Sequence, residues 1–470
     1  MNGQVLENPF GSAFRISGLI LIVLLVASAC LFLPPLLVPA IFIPAACLWL
    51  IFRHPIGALG ALLAFMPVDY MVIELGKFFH LPGMTVVSAC TKEVPLVLLL
   101  FILWHRNGLR LVAPDWFLLA AVMLAALRTV LNGSFVVWGT DFQFVLPYAV
   151  GRVTQLTHEQ ESRWAKRAVW IIAVLAVLGM SEVFIFGGGP RTMLYLATDS
   201  VTDNGTLTSA FGGTDFVGLR EASTMVGPSY FGALCMIALI LWWLYCRNPV
   251  PAVMAAAGLV CSITRSAWIG TALAITFLAA ALEQWKRWAL YVGLGLVMFA
   301  ASIPILGLSD YLSAFRTGQD TSTEGHVVST LTGLQIALEH PLGAGNAKVG
   351  ARASGENGNA DITESTYLSL AAEYGIVALV CFIGFLSSAT WRAWRTHSQL
   401  GRAAIAIMVG VGVMMTILLM HTDRRFNCWV WFPVGLAVRH FCDSAKPESH
   451  EERRNLQLRR LLENGGLPRQ

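Results

Sequence analysis

The sequence predicts an all-α polytopic membrane protein with 12–14 transmembrane helices and one large loop outside the membrane. Three observations lead there. Of its 470 residues, 56% are hydrophobic, and the mean hydropathy is +0.65. Only 13% are charged, against about 25% in soluble domains. Apolar runs of about 20 residues, the length that crosses a bilayer, recur from end to end.

The runs fall near 15–33, 36–52, 55–73, 86–104, 114–131, 135–151, 168–187, 227–246, 250–265, 267–284, 288–306, 366–387, 401–421 and 427–442. Pro34, Pro35 and Pro39 interrupt the second. The sixth, "FVVWGTDFQFVLPYAVG", is polar enough to be re-entrant. This divides the chain into N-terminal transmembrane helices (1–187), a first loop (188–227) and central helices (228–306). A large loop (307–365), C-terminal helices (366–442) and a mixed-charge tail (443–470) follow.

Orientation follows from Lys and Arg, which gather in cytoplasmic loops. With both termini in the cytoplasm, the inner loops collect Arg53, Arg106, Arg110, Arg152, Arg163, Lys166, Arg167, Lys286, Arg287, Arg392, Arg395 and Arg402. Both long loops then face outward, and long loops of ordered composition usually carry function.

Several classes are excluded or weakened. No basic stripe interleaved with aromatics appears, so no nucleic-acid partner is expected. The nine cysteines form no CxxC pair, and Cys30, Cys47, Cys235, Cys261 and Cys381 lie inside apolar runs, as small buried residues do. No paired acidic motif or histidine cluster has metal-ligand spacing, so neither metal nor cofactor is expected. No internal repeat is visible, which weakens transporter readings built on repeated halves.

A charge near bilayer depth costs roughly 2.5–3.5 kcal/mol on insertion scales and needs a reason. Arg265, in "SITRSAWIG", sits in a tight turn between two apolar runs. It either snorkels from a helix end or serves a site. Arg220, in "GLREASTMVGPSYFG", precedes the eighth run on the same side. Two arginines facing one compartment suit a multiply charged anion, because the guanidinium fork binds phosphate in a bidentate way. The large loop adds "EHPLGAGNAKVGARASGENGNADITESTYLSLAAEYG", whose glycines permit close backbone approach. Its Lys348 and Arg352 are further phosphate candidates, as is Arg316 upstream, and His340 opens the turn. Glu364 then stands at the start of an apolar run, with Ser365 or Thr363 as the expected N-cap. It is either a helix-end carboxylate favoured by the macrodipole or a general base, with Asp361 as the backup. Glu182 and the "HTDRRFN" cluster at 421–427 are weaker candidates, the latter reading as self-paired ions.

The ordered set of motifs resembles the O-antigen ligase and polymerase superfamily of bacterial envelope glycosyltransferases. "REASTMVGPSYFG", "SITRSAWIG", and "EHPLGAGN" followed by "TESTYLSLAAEYGIVAL" carry the likeness, over roughly residues 205–390. The resemblance implies a GT-C-like fold in the bacterial inner membrane. It also implies transfer of glycan from an undecaprenyl-pyrophosphate carrier at the periplasmic face, Arg220 and Arg265 binding the pyrophosphate. A chain-length regulator and a flippase would be partners. Ligases of this group carry histidine where this chain has Glu364, and a Gly-Arg where it has Gly325-His326. The departure favours a polymerase over a ligase; His326 and Tyr367 take the matching substrate-binding positions.

Overall fold

The computed structural model describes residues 49–79, 84–185, 227–305, 321–346, 349 and 364–444. Among them secondary structure is helical, without a strand. The order is α1 (Pro55–Phe65), α2 (Asp69–Phe78), α3 (Met84–Asn107), α4 (Ala113–Asn132), α5 (Phe135–Asp141), α6 (Val145–Val153), α7 (His158–Phe184), α8 (Pro228–Tyr245), α9 (Val250–Cys261), α10 (Arg265–Ala281), α11 (Trp285–Ile305), α12 (Thr321–Glu339), α13 (Thr366–Tyr374), α14 (Ile376–Arg395), α15 (Gln399–Met415) and α16 (Arg424–Ser444). A 3₁₀ turn at Met420–Thr422 links the last two.

Four of these helices, α4, α7, α8 and α14, are long and apolar enough to cross a membrane, and α1 with α2 makes a fifth as a pair bent by 64°. This is a membrane protein. The first two predicted spans lie outside the described residues, and others are interrupted. The polar run 135–151 breaks between α5 and α6, and the run 366–387 breaks at Gly375.

Helix starts follow local chemistry. Proline occupies the first turn of α1, α4, α8 and α9, where its missing N–H costs nothing. Thr157 and Gln160 form a reciprocal capping box on α7, and Ser398 caps α15 through Gly401 N. Burial then sorts the spans. The apolar window of α8 is 78% buried, against 28% for α4 and α14. A helix apolar all round belongs in the middle, and α8 is the central post while α4 and α14 face lipid.

Helices meet closely where glycine permits. A Cβ at Gly151 of α6 would come within 2.3 Å of the Phe432 carbonyl oxygen on α16. One end of the bundle is locked by buried arginines. Arg152 donates to both oxygens of Asp115 at 3.0 and 2.9 Å and to Arg110 O at 2.8 Å. Arg439 donates to the carbonyls of Gly108 and Asn107. The opposite end carries a second ionic lock. Asp69 Oδ2 receives Lys92 Nζ at 3.1 Å and Arg425 Nε at 2.8 Å, and Arg424 pairs with Glu93. The "HTDRRFN" ions are therefore not merely self-paired: Arg425 does reach Asp423, but α2 and α3 supply the other partners. Their role is to tie the first helices to the last.

Candidate active site

At this second end Glu364 and its neighbours converge. Sequence reading placed Glu364 at the mouth of a membrane span. Instead a short helix intervenes: α13 is almost wholly buried, and Gly375, at φ 99°, separates it from the span α14. Ser365 is the N-cap, its Oγ accepting from Leu368 N. Glu364 thus lies just outside the helix, held by its own N–H donating to Ser329 Oγ of α12 at 2.8 Å.

The Glu364 carboxylate lies directly against His326 Nδ1, also from α12. The side chains are 41% and 31% exposed respectively, while the two atoms in contact, Oε2 and Nδ1, are buried against each other. A carboxylate oriented by an imidazole is a geometry for moving one proton. The position where the sequence lacks a histidine thus has one in contact with it, donated by a helix 38 residues upstream by number (364 minus 326).

A buried polar network backs the pair. Thr366 Oγ1 donates to Leu418 O at 2.7 Å, accepts from Met420 N at 3.1 Å, and lies 3.1 Å from His421 Nδ1. His421 Nε2 is 3.8 Å from Asp141 Oδ1. Asp141 Oδ2 accepts from Tyr374 OH at 2.6 Å, and Tyr374 OH accepts from Asn346 Nδ2 at 3.0 Å. Asn346 also spans the α4–α5 turn, donating to Ser134 O and accepting from Ser134 N. Buried polar groups paired in this way favour one arrangement of the helices around them.

The "HPLGAGN" turn docks backbone to backbone on the end of α13. Ala344 N donates to Ala372 O, Gly345 N to Glu373 O, and Ile376 N to Pro341 O. A Cβ at Gly343 would sit 2.5 Å from Glu373 O, so the expected close approach is realised here.

Arg265 opens α10 at the same end. Its turn is strained: Ile263, a β-branched residue, adopts φ 47°, a conformation that persists where surrounding structure enforces it. Trp268 Nε1 staples the turn to Leu259 O at 2.8 Å. Ser262 packs on Gly232 of α8. Two residues before Gly232, Tyr230 OH bonds Leu419 O at 3.0 Å and Thr422 Oγ1 at 3.1 Å. Helix α8 thus touches the Arg265 turn through Gly232 and, through Tyr230, the 418–422 segment that Thr366 also bonds.

Other expected site residues separate. His340 is exposed just past the far end of α12. It is fourteen positions from His326, about 20 Å at helical rise, and is not brought to Glu364. Tyr367 is half-buried and its hydroxyl donates to Gly412 O at 3.2 Å, anchoring α13 on α15. Arg220, Arg316, Lys348, Arg352 and Asp361 lie outside the described residues. Sequence reasoning missed Asp141, Asn346 and Tyr374, and also Arg128, whose Nε is buried without a hydrogen-bond partner near the end of α4. Ionisable residues within apolar runs, Asp141 and Arg128 among them, were the available signal.

Residues 250–383 match the family model of O-antigen ligase. The chain carries a domain of the O-antigen ligase and polymerase superfamily. Among curated proteins no match is found. The O-antigen ligase domain takes in Arg265, His326, Asn346, Glu364 and Tyr367, so the contacts among α12, the "HPLGAGN" turn and α13 are internal to it. Asp141 and His421 lie outside its bounds and enclose it from α5 and the 3₁₀ turn. The match supports a function of the O-antigen ligase and polymerase class.

Proposed function

We propose that the protein polymerises undecaprenyl-pyrophosphate-linked oligosaccharide repeat units into exopolysaccharide or O-antigen. The reaction takes place at the periplasmic face of a bacterial inner membrane, with both termini of the chain cytoplasmic. The observation that carries this reading is the Glu364–His326 contact, standing where ligases of the superfamily place a histidine. In the proposed step an acceptor sugar hydroxyl attacks the anomeric carbon of the donor. Its proton passes to Glu364, supported by His326, while the bond from that carbon to the pyrophosphate oxygen breaks. A single displacement inverts the anomeric centre. The departing pyrophosphate gathers negative charge, which preorganised cations stabilise; Arg265 is the described candidate and Arg220 its expected partner.

A ligase is the second reading, favoured by the description of the matching family model and by the histidine at the site. Deleting the protein and profiling lipid-linked glycans separates the two. Loss of a polymerase leaves single repeat units on the carrier. Long polymer left unattached would replace this reading with the ligase. Repeats trapped on the cytoplasmic side would replace both with a flippase.

A further inference from the structure

The helix that presents His326 to Glu364 has a second face. At 100° per residue, His326, Ser329, Ile336 and Ala337 fall on one side of α12. Ser329, Ile336 and Ala337 are buried there. On the other side Val327, Leu331, Leu334 and Leu338 form a row that is 53%, 61%, 46% and 66% exposed. The thirteen positions from His326 to Leu338 hold no Asp, Glu, Lys or Arg. A helix bathed in water normally carries charge on its outer face, and a contiguous apolar row left open marks a contact surface.

The row leads into a surface already assigned to lipid. Beyond α12 the chain turns at Pro341, whose carbonyl accepts from Ile376 N at 2.9 Å. Leu342, 73% exposed, therefore lies beside the first turn of the membrane-spanning α14. There Ile376, Val377, Val380 and Ile383 continue as exposed apolar residues. Gln335 and Glu339, hydrogen-bonded to each other at 2.8 Å, mark one flank of the row, where polar headgroups or water would begin.

We propose that α12 lies in the membrane boundary, with Val327, Leu331, Leu334 and Leu338 seated among phospholipid acyl chains as a continuation of the lipid-facing flank of α14. Interfacial helices bury one apolar face in this way and keep a polar side toward headgroups. Here the side turned away from lipid holds His326 and Ser329 against Glu364, so the bilayer itself supports the position of the pair. The lipid seat does not depend on the pair acting as a base, and its test is independent of turnover.

The full-length protein is reconstituted in vesicles of phosphatidylethanolamine and phosphatidylglycerol. These contain a small fraction of phosphatidylcholine with a diazirine midway along one acyl chain. After irradiation, adducts are mapped by peptide mass spectrometry. Adducts are expected on the Val327–Leu338 row in yields comparable to Val377 and Val380, with none on Ile336 or Ala337. A labelled α14 beside an unlabelled row overturns the proposal. Labelling only when the diazirine is carried by an added polyprenyl diphosphate would likewise assign a different occupant and overturn it.

Discussion

His326 Nδ1 meets the carboxylate of Glu364, and the same helix that brings the histidine also fixes the Glu364 backbone through Ser329 Oγ. One rigid element therefore sets both the position and the partner of the carboxylate. Such a pair acts as a unit. Glu364→Gln is expected to lower glycan transfer by about 10²–10⁴-fold, the usual worth of a positioned base. Donor binding should be nearly unchanged. His326→Gln should fall in the same range, and the double variant should lose little more, since groups acting as one unit are not additive. Steady-state assay with a lipid-linked repeat unit and a separate donor-binding measurement check this. Unchanged turnover in Glu364→Gln would reduce the residue to a helix-end carboxylate.

Arg265 tests the anion side. Its turn is held by the strained Ile263 and the Trp268 staple, a costly arrangement for a charge with no task. Arg265→Ala should cost about 10²–10³-fold in transfer, as removal of a charge-stabilising donor does. Arg265→Lys should recover little of this, because lysine lacks the planar fork. Full rescue by lysine would reduce the arginine to a simple positive charge at a helix end.

Gly375 is where α13 stops and the span α14 begins. Its φ of 99° and ψ of 161° lie in a region open essentially to glycine. An added Cβ would also sit 2.8 Å from the Leu342 carbonyl carbon and 2.9 Å from Pro341 O. Gly375→Ala is expected to destabilise the fold by about 1–3 kcal/mol from backbone strain alone. It should also push the "HPLGAGN" turn off α13. A lowered melting temperature in detergent, with transfer lost in step, is the expected result; wild-type values for both would show that the turn can relax.

What the sequence made legible and what it hid divide along sequence distance. Apolar composition and the glycines of "HPLGAGN" are local signals: long apolar helices such as α4, α7, α8 and α14 overlap predicted runs, and Gly343 makes the close backbone approach expected of it. The break at Gly375 was hidden because "AAEYGIVALV" is apolar apart from Glu373 and one glycine, and glycine within a helix is tolerated at modest cost. The network around Glu364 was hidden for another reason. Asp141 and Tyr374 are 233 positions apart, and Asp69 and Arg425 are 356 apart. Such pairings leave no periodic trace; only the presence of ionisable groups in apolar runs pointed to them. Glu364 itself was legible as a candidate, whereas its contact with His326 required the packing of α12 on α13.

Asn346 connects these two kinds of information, ending a legible motif while making contacts that only the fold reveals. Its amide exchanges two hydrogen bonds with the Ser134 backbone, at 2.7 and 2.9 Å, and donates to Tyr374 OH at 3.0 Å. It is 1% exposed, so water is not at hand to replace it. In Asn346→Ala these groups lose their partner, and an unsatisfied buried donor or acceptor costs about 1–3 kcal/mol. The Ser134 amide, the Ser134 carbonyl and the Tyr374 hydroxyl are not independent, so a total of about 3 kcal/mol is the expectation. Asn346→Asp should be worse. It keeps the acceptor for Ser134 N but loses both donors, and it adds a buried negative charge next to the tyrosine that Asp141 already binds. Thermal unfolding in detergent should therefore rank wild type above Asn346→Ala, and that above Asn346→Asp. Transfer activity should fall in the same order even though the side chain is too buried to touch substrate. An Asp variant as stable as wild type would mean that the residue is not sealed from water, and the buried network behind Glu364 would have to be redrawn.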